Sequence, residues 1–151
     1  MDDYALLAPE AEAGSWYPYS FMASDEANKH ALKQSLKTIE ETWSYILDSG
    51  ISADNILLIG FSQGACLSLE FAAQNIQKPK AVIAFTGGLI GEKVQEDKYS
   101  GSFEHTTIFI GSSEKETLLS RMGANVKLMI FKDSNHTIRQ EEIEWVNDNI
   151  L

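Results

Sequence analysis

The run Ile56-Leu57-Leu58-Ile59-Gly60-Phe61-Ser62-Gln63-Gly64 constrains this chain more than any other stretch. Its first four residues are apolar and partly β-branched, which reads as a short buried strand. Ala65 to Ala73 is rich in Ala and Leu, which favours a helix. A Gly-x-Ser-x-Gly between a strand and a helix has the form of a nucleophile elbow, a strained turn that lifts a serine hydroxyl clear of a sheet. Glycine is expected two residues to either side of Ser62, where chain packs on chain. The helix behind the serine presents free N–H groups and its positive dipole end to an oxyanion. A base is needed as well. His136 follows the strand-like run Val126 to Phe131 and precedes the helix-like run Gln140 to Ile150. A histidine on a loop after a late strand fits the chain order that such elbows require.

The rest of the chain alternates strand and helix signals. Tyr4 to Ala8 reads as a short strand. A helix is expected from Asp25 to Ser49, with Ser24 as N-cap and Gly50 as the C′ residue. Its Leu32, Leu36, Ile39, Trp43 and Ile46 step by four and three, so they form one apolar stripe. Strands are expected at Ile56 to Ile59, Lys80 to Thr86, Thr107 to Ile110 and Val126 to Phe131. Ala81 to Phe85 is apolar throughout, as suits a parallel strand covered on both faces. The last helix has Thr137 at capping-box spacing from Gln140, and Ile143, Val146 and Ile150 on its buried side. This alternation predicts an α/β chain with a doubly wound, mostly parallel sheet flanked by helices, over 1–151 as a single domain.

At the residue level, five segments together resemble the phospholipase/carboxylesterase family of α/β-hydrolases, relatives of the acyl-protein thioesterases. They are Tyr4-Ala5-Leu6-Leu7-Ala8-Pro9, Trp16-Tyr17-Pro18-Tyr19, Gly60 to Ala65, Gly87-Gly88-Leu89-Ile90 and His136-Thr137-Ile138. The resemblance runs from about Tyr4 to the C-terminus. It implies a serine hydrolase of carboxylic esters, lysophospholipids or thioesters, with Ser62 as nucleophile, His136 as base and the Gln63 backbone N–H as an oxyanion donor. Two features depart from the family pattern. The chain has no His-Gly-x-Gly-type loop and no strands ahead of Tyr4 to supply a second oxyanion donor. The usual Asp-Pro segment is also missing after Thr107 to Ile110, where Glu114 and Glu116 are the nearest acids. Three explanations stay open: segments omitted from the sequence, a fragment, or a relative that has lost its acid and serves as a scaffold binding a small apolar ligand or partner.

Substrate contacts are expected from the loops at the same edge of the sheet. Trp16 and Tyr17, with Tyr19 and Phe21 beside them, either line an apolar slot or pack beneath their loop. Gly88 and Leu89 open a long excursion, Gly91 to Gly101, that reads as a wall, a lid or an inert loop.

Net charge and cysteine count narrow the partners. The chain has 22 acidic and 12 basic residues, a net −10, which argues against nucleic acid and anionic membrane surfaces. No apolar run approaches the roughly 18 residues of a membrane span, and no signal peptide follows Met1-Asp2-Asp3. The single cysteine, Cys66, excludes an internal disulfide and suits a cytoplasmic setting. Its place one turn after Ser62 reads as packing. Three scattered histidines give no zinc spacing. No cofactor and no metal are expected. A small ester is the expected partner, and a homodimer stays open.

Overall fold

A computed structural model describes residues 4–93, 95–111, 116–132 and 135–151, with the backbone alone at 116–118. Helix α1 (Asp25–Asp48) precedes strand β1 (Leu57–Phe61). Then follow α2 (Gln63–Gln74), β2 (Ala81–Phe85), β3 (Thr107–Gly111), α3 (Glu116–Arg121), β4 (Asn125–Met129) and α4 (Gln140–Asn149). The strands form one sheet in the order β1-β2-β3-β4, and every pair is parallel. This is the flanked α/β sheet that the alternation of signals predicts.

Period-two alternation sorts the strand side chains onto two faces. Val82, Ala84, Ile108 and Ile110 meet Ala65, Leu69, Ala72 and Ala73 of α2 on one face, with Leu119 of α3 beside them. Ala81, Ile83, Phe85 and Phe109 meet Val146 and Ile150 on the other, where α4 lies. Both faces of β2 are therefore covered, which is why its sequence is apolar without alternation. Helix α1 forms an outer layer. Its Leu36, Ile39 and Ile46 pack with Trp43, Ile56 and Phe71, and the Trp43 and Phe71 rings meet edge to face at 5.6 Å.

Four expectations need correction. Tyr4 to Ala8 is not a strand: Leu6 is 89% exposed, and β1 pairs only with β2 among the described residues. An apolar run makes a strand only when a neighbour offers its peptide groups, and none does there. Thr137 does not cap α4. The Arg139 N–H is held instead by the Glu142 carboxylate at 2.8 Å. Ile143 is 40% exposed, and the fully buried Glu142 takes the inward position beside it, over the end of β3 at Gly111. Ser24 occupies the N-cap position of α1 without a side-chain cap bond.

Parallel strands in near-level register end together. Phe61 lies opposite Phe85, Phe85 opposite Gly111, and Gly111 opposite Met129. Ser62, Thr86 and the segment that follows β4 therefore leave the sheet at one edge, where open α/β sheets gather ligands.

Candidate active site

Ser62 stands between β1 and α2 with φ 55° and ψ −117°, a backbone conformation that costs energy for any residue with a side chain. The surroundings enforce it. The Ser62 N–H bonds to the Phe85 carbonyl at 3.0 Å, and its own carbonyl accepts the Cys66 N–H at 3.1 Å. The two glycines of the motif are not equivalent. A Cβ on Gly60 would overlap the Gly64 carbonyl and stand 2.5 Å from Ala65 N, whereas one on Gly64 would meet nothing within 4 Å. Only Gly60 is needed for close approach.

His136 reaches Ser62 from the other end of the chain, its Nε2 2.9 Å from the serine Oγ. Three contacts set its loop. The Phe61 ring lies 5.1 Å from the imidazole, the Arg139 guanidinium stacks at 4.1 Å over Phe131, and Arg139 donates to the Asn135 carbonyl at 3.2 Å. The base is thus placed by apolar and cation–π packing as well as by its serine. Among the described residues no carboxylate hydrogen-bonds to the imidazole. Glu114 lies outside the described residues. Glu116 opens α3, and its side chain likewise lies outside them.

Around this pair is a cleft of about 350 Å³, a size that suits a small organic ligand. Tyr17, Tyr19, Ser20 and Phe21 form one wall, Thr86 and Gly87 the other, and Cys66 the floor. Tyr17 and Tyr19 thus line the cleft, while Trp16 packs beside Cys66 and Ile90. Gly88 is buried with its N–H on the Cys66 sulfur at 3.4 Å, and Leu89 is fully buried in the core. Neither lines the cleft. The excursion 91–101 lies against α1 and α2, away from the serine. Its Gly91 N–H bonds to the Phe21 carbonyl, and Lys98 pairs with Asp25 at 3.3 Å.

Three polar side chains hold the aromatic wall, and sequence reasoning assigned none of them that task. The Gln63 carboxamide accepts the Trp16 N–H at 3.1 Å and donates to the Tyr17 carbonyl at 2.8 Å. Asn28, buried on α1, accepts the Tyr19 N–H at 3.0 Å and donates to the Ser20 carbonyl at 2.9 Å. Ser35, also buried on α1, donates to the Trp16 carbonyl. The usable signal was Asn28 and Ser35, polar residues two turns apart beside the apolar stripe of α1.

Burial raises the Tyr17 hydroxyl well above its ordinary value, and its neighbours Cys66 and Glu70 push the same way. The phenol stays neutral and hydrogen-bonds with the Cys66 thiol. The Tyr17 side of the cleft is therefore uncharged, which suits an apolar group.

Known proteins show the same arrangement of chain. A family model described as Phospholipase/Carboxylesterase matches residues 5–150. The crystal structure of a phospholipase/carboxylesterase from Dyadobacter fermentans superposes with a TM-score of 0.87 and 39% identity, covering 91% of this chain and 72% of that one. Acyl-protein thioesterase 1 of Kluyveromyces lactis is 31% identical over 117 residues, 73% of this chain and 51% of the relative. The same-named protein of Saccharomyces cerevisiae is 27% identical over 141 residues, 93% and 60% respectively. The chain thus spans between half and three fifths of the length of these two relatives. No described helix is long and apolar enough to cross a membrane.

Proposed function

The chain belongs to the phospholipase/carboxylesterase family, and we propose that it is a serine hydrolase of small carboxylic esters or thioesters. The observation that carries this reading is the pairing of a strained Ser62 with His136 at 2.9 Å at the mouth of an apolar cleft. In this reading Ser62 Oγ attacks the acyl carbonyl while His136 Nε2 takes its proton. The tetrahedral oxyanion sits at the start of α2, where the Gln63 N–H and the helix dipole face it. His136 then returns the proton to the leaving alcohol or thiol. Water repeats the sequence on the acyl-enzyme and restores the serine.

Glu114 and Glu116 are the candidates for the acid that orients the second ring nitrogen. The acyl group lies against Tyr17, Phe21 and Gly87, and the neutral Tyr17 phenol and the Phe21 ring favour an aliphatic chain. A cytoplasmic setting belongs to the same reading, supported by the lone buried thiol of Cys66.

The test is hydrolysis of p-nitrophenyl butyrate by the wild type and by Ser62→Ala and His136→Ala. Loss of a nucleophile or its base lowers kcat by roughly 10⁴–10⁶-fold in such sites. A fluorophosphonate should also label Ser62 in the wild type, and mass analysis of the peptide would locate it. Equal hydrolysis by all three proteins, with no label on Ser62, refutes the reading.

A further inference from the structure

We infer that Glu70 is a positioning residue whose carboxylate clasps the neck of the segment between β2 and β3, and so fixes the Thr86–Gly87 wall of the cleft. The inference rests on the hydrolase reading for its functional part and on geometry alone for the clasp.

Ser62 at the N-cap of α2 and Cys66, Glu70 and Gln74 within it step by four along one side of the helix. Each of the middle two holds the chain that leaves β2. The Cys66 sulfur accepts the Gly88 N–H, and Glu70 Oε2 accepts the Ile90 N–H at 3.1 Å. The same Oε2 also accepts the Tyr99 hydroxyl at 3.1 Å. One oxygen therefore joins residues 90 and 99, the two ends of the excursion. Gln74 fixes the carboxylate by donating to Oε1 at 2.7 Å.

Glu70 is completely buried. A carboxylate is a costly choice inside a protein unless its oxygens are fully used. A leucine would fill the space but leave the Ile90 N–H and Tyr99 O–H without acceptors. Glutamine keeps the shape and brings an N–H₂ that competes for donor-rich surroundings. A group that must accept from three donors at once is therefore best made from a carboxylate. Among the described residues of 92–98 the one regular element is the 3-10 turn Glu96–Lys98. The clasp ties their base to α2 alongside the bonds from Ser100 to the Ala73 and Gln74 carbonyls, and Gly87 lies three residues before Ile90.

The experiment compares wild type with Glu70→Gln and Glu70→Leu by two readouts. Hydrogen exchange should rise at least about tenfold over residues 87–100 in both variants while the amides of β1 keep their protection, a factor that matches one lost hydrogen bond to a charged group. Steady-state hydrolysis of p-nitrophenyl acetate, butyrate and octanoate should show KM rising about tenfold for octanoate and little for acetate, with kcat within about threefold. Glu70→Asp should recover less than half of the loss, because its carboxylate falls one methylene short. Exchange confined to α2, or kcat and KM changing alike for all three esters, overturns the positioning role. A wild type with no hydrolysis would overturn the functional part through the hydrolase reading, and exchange would still decide the clasp.

Discussion

Gly60 and Gly64 each stand two residues from Ser62 and yet should respond oppositely to the same substitution. A methyl group on Gly60 overlaps the Gly64 carbonyl and stands 2.5 Å from Ala65 N. Carbon atoms settle at about 3.5–4.0 Å, so the elbow must open by roughly 1 Å. The obstacle is backbone, which has no rotamer to retreat into. Overpacking of a tight site costs typically 1–3 kcal/mol, and we place Gly60→Ala near the upper end, about 3 kcal/mol. At about 2–4 °C per kcal/mol for a chain of this size, Tm should fall by roughly 6–12 °C. The opening also displaces Ser62 and the start of α2, and a 1 Å misplacement costs on the order of 100-fold in rate. Gly64 has ordinary helical backbone and open space where its Cβ would go. Alanine there restricts the unfolded chain and suits the helix, so Gly64→Ala should gain about 0.4–1 kcal/mol, a rise of roughly 1–4 °C. Thermal melts of the three proteins by circular dichroism, with esterase rates from the same preparations, give the answer. Equal destabilisation by both substitutions, or a neutral Gly60→Ala, would refute the steric argument.

Replacing Gln63 by Glu keeps the acceptor for the Trp16 N–H but sets a carboxylate oxygen against the Tyr17 carbonyl; stability should fall by about 1–3 kcal/mol, read from urea midpoints. Lys78, drawn down to about 8 by burial, donates to the Ala72, Ala73 and Ser100 carbonyls at 2.7, 3.2 and 2.7 Å. Lys78→Met should therefore free the end of α2, costing roughly 1–3 kcal/mol with earlier hydrogen exchange at Ala73 to Asn75 as its signature. Burial, the largest influence, raises the Glu70 carboxyl above its ordinary 4.5, against the opposing pull of the Ile90 N–H, Gln74, Lys98 and Tyr99. The folded chain then keeps a proton that the unfolded chain has lost, so this contribution is whole below pH 4.5 and is lost as pH rises through the folded value. Urea midpoints measured upward from pH 4 should decline less in Glu70→Gln than in wild type over that window. Parallel profiles would show that Glu70 titrates as an ordinary carboxyl.

Sequence patterns revealed those parts of the molecule whose cause is local. The strand-turn-helix around Ser62 is legible because its apolar run, its glycine and its small-residue helix are adjacent in the chain. So are β2, covered on both faces, and α1 with its stripe. Tyr4 to Ala8 was misread because a strand is a property of two segments, and periodicity reports only one. Ile143 was misread because spacing defines a stripe but not which neighbour of the stripe faces the sheet. There Glu142 turned inward to meet the Arg139 N–H. Leu89 was expected beside substrate and lies in the core, since a residue at a strand's end can turn either way. The roles of Gln63, Asn28 and Ser35 depend on the path of residues 15–21 over α1 and α2, and that path is set by tertiary contacts. For an acid to orient His136, sequence offered only the proximity of Glu114 and Glu116.

The outer side of β1 bears on how this protein behaves in bulk. Along Leu57–Phe61 one row of peptide groups has no strand beside it among the described residues, and Ile59 and Phe61 stand 53% and 41% exposed. The strand Leu-Leu-Ile-Gly-Phe carries no charge and no proline, the usual guards of an open margin. Long-range repulsion between bodies of charge −10 opposes the pairing of two molecules along that row. That protection is colloidal, and it weakens as salt shortens the Debye length or as pH approaches the isoelectric point near 4.6. Dilute, low-salt solutions at neutral pH should therefore scatter little light. The same protein concentrated in high salt should pair edge to edge through β1 and scatter more.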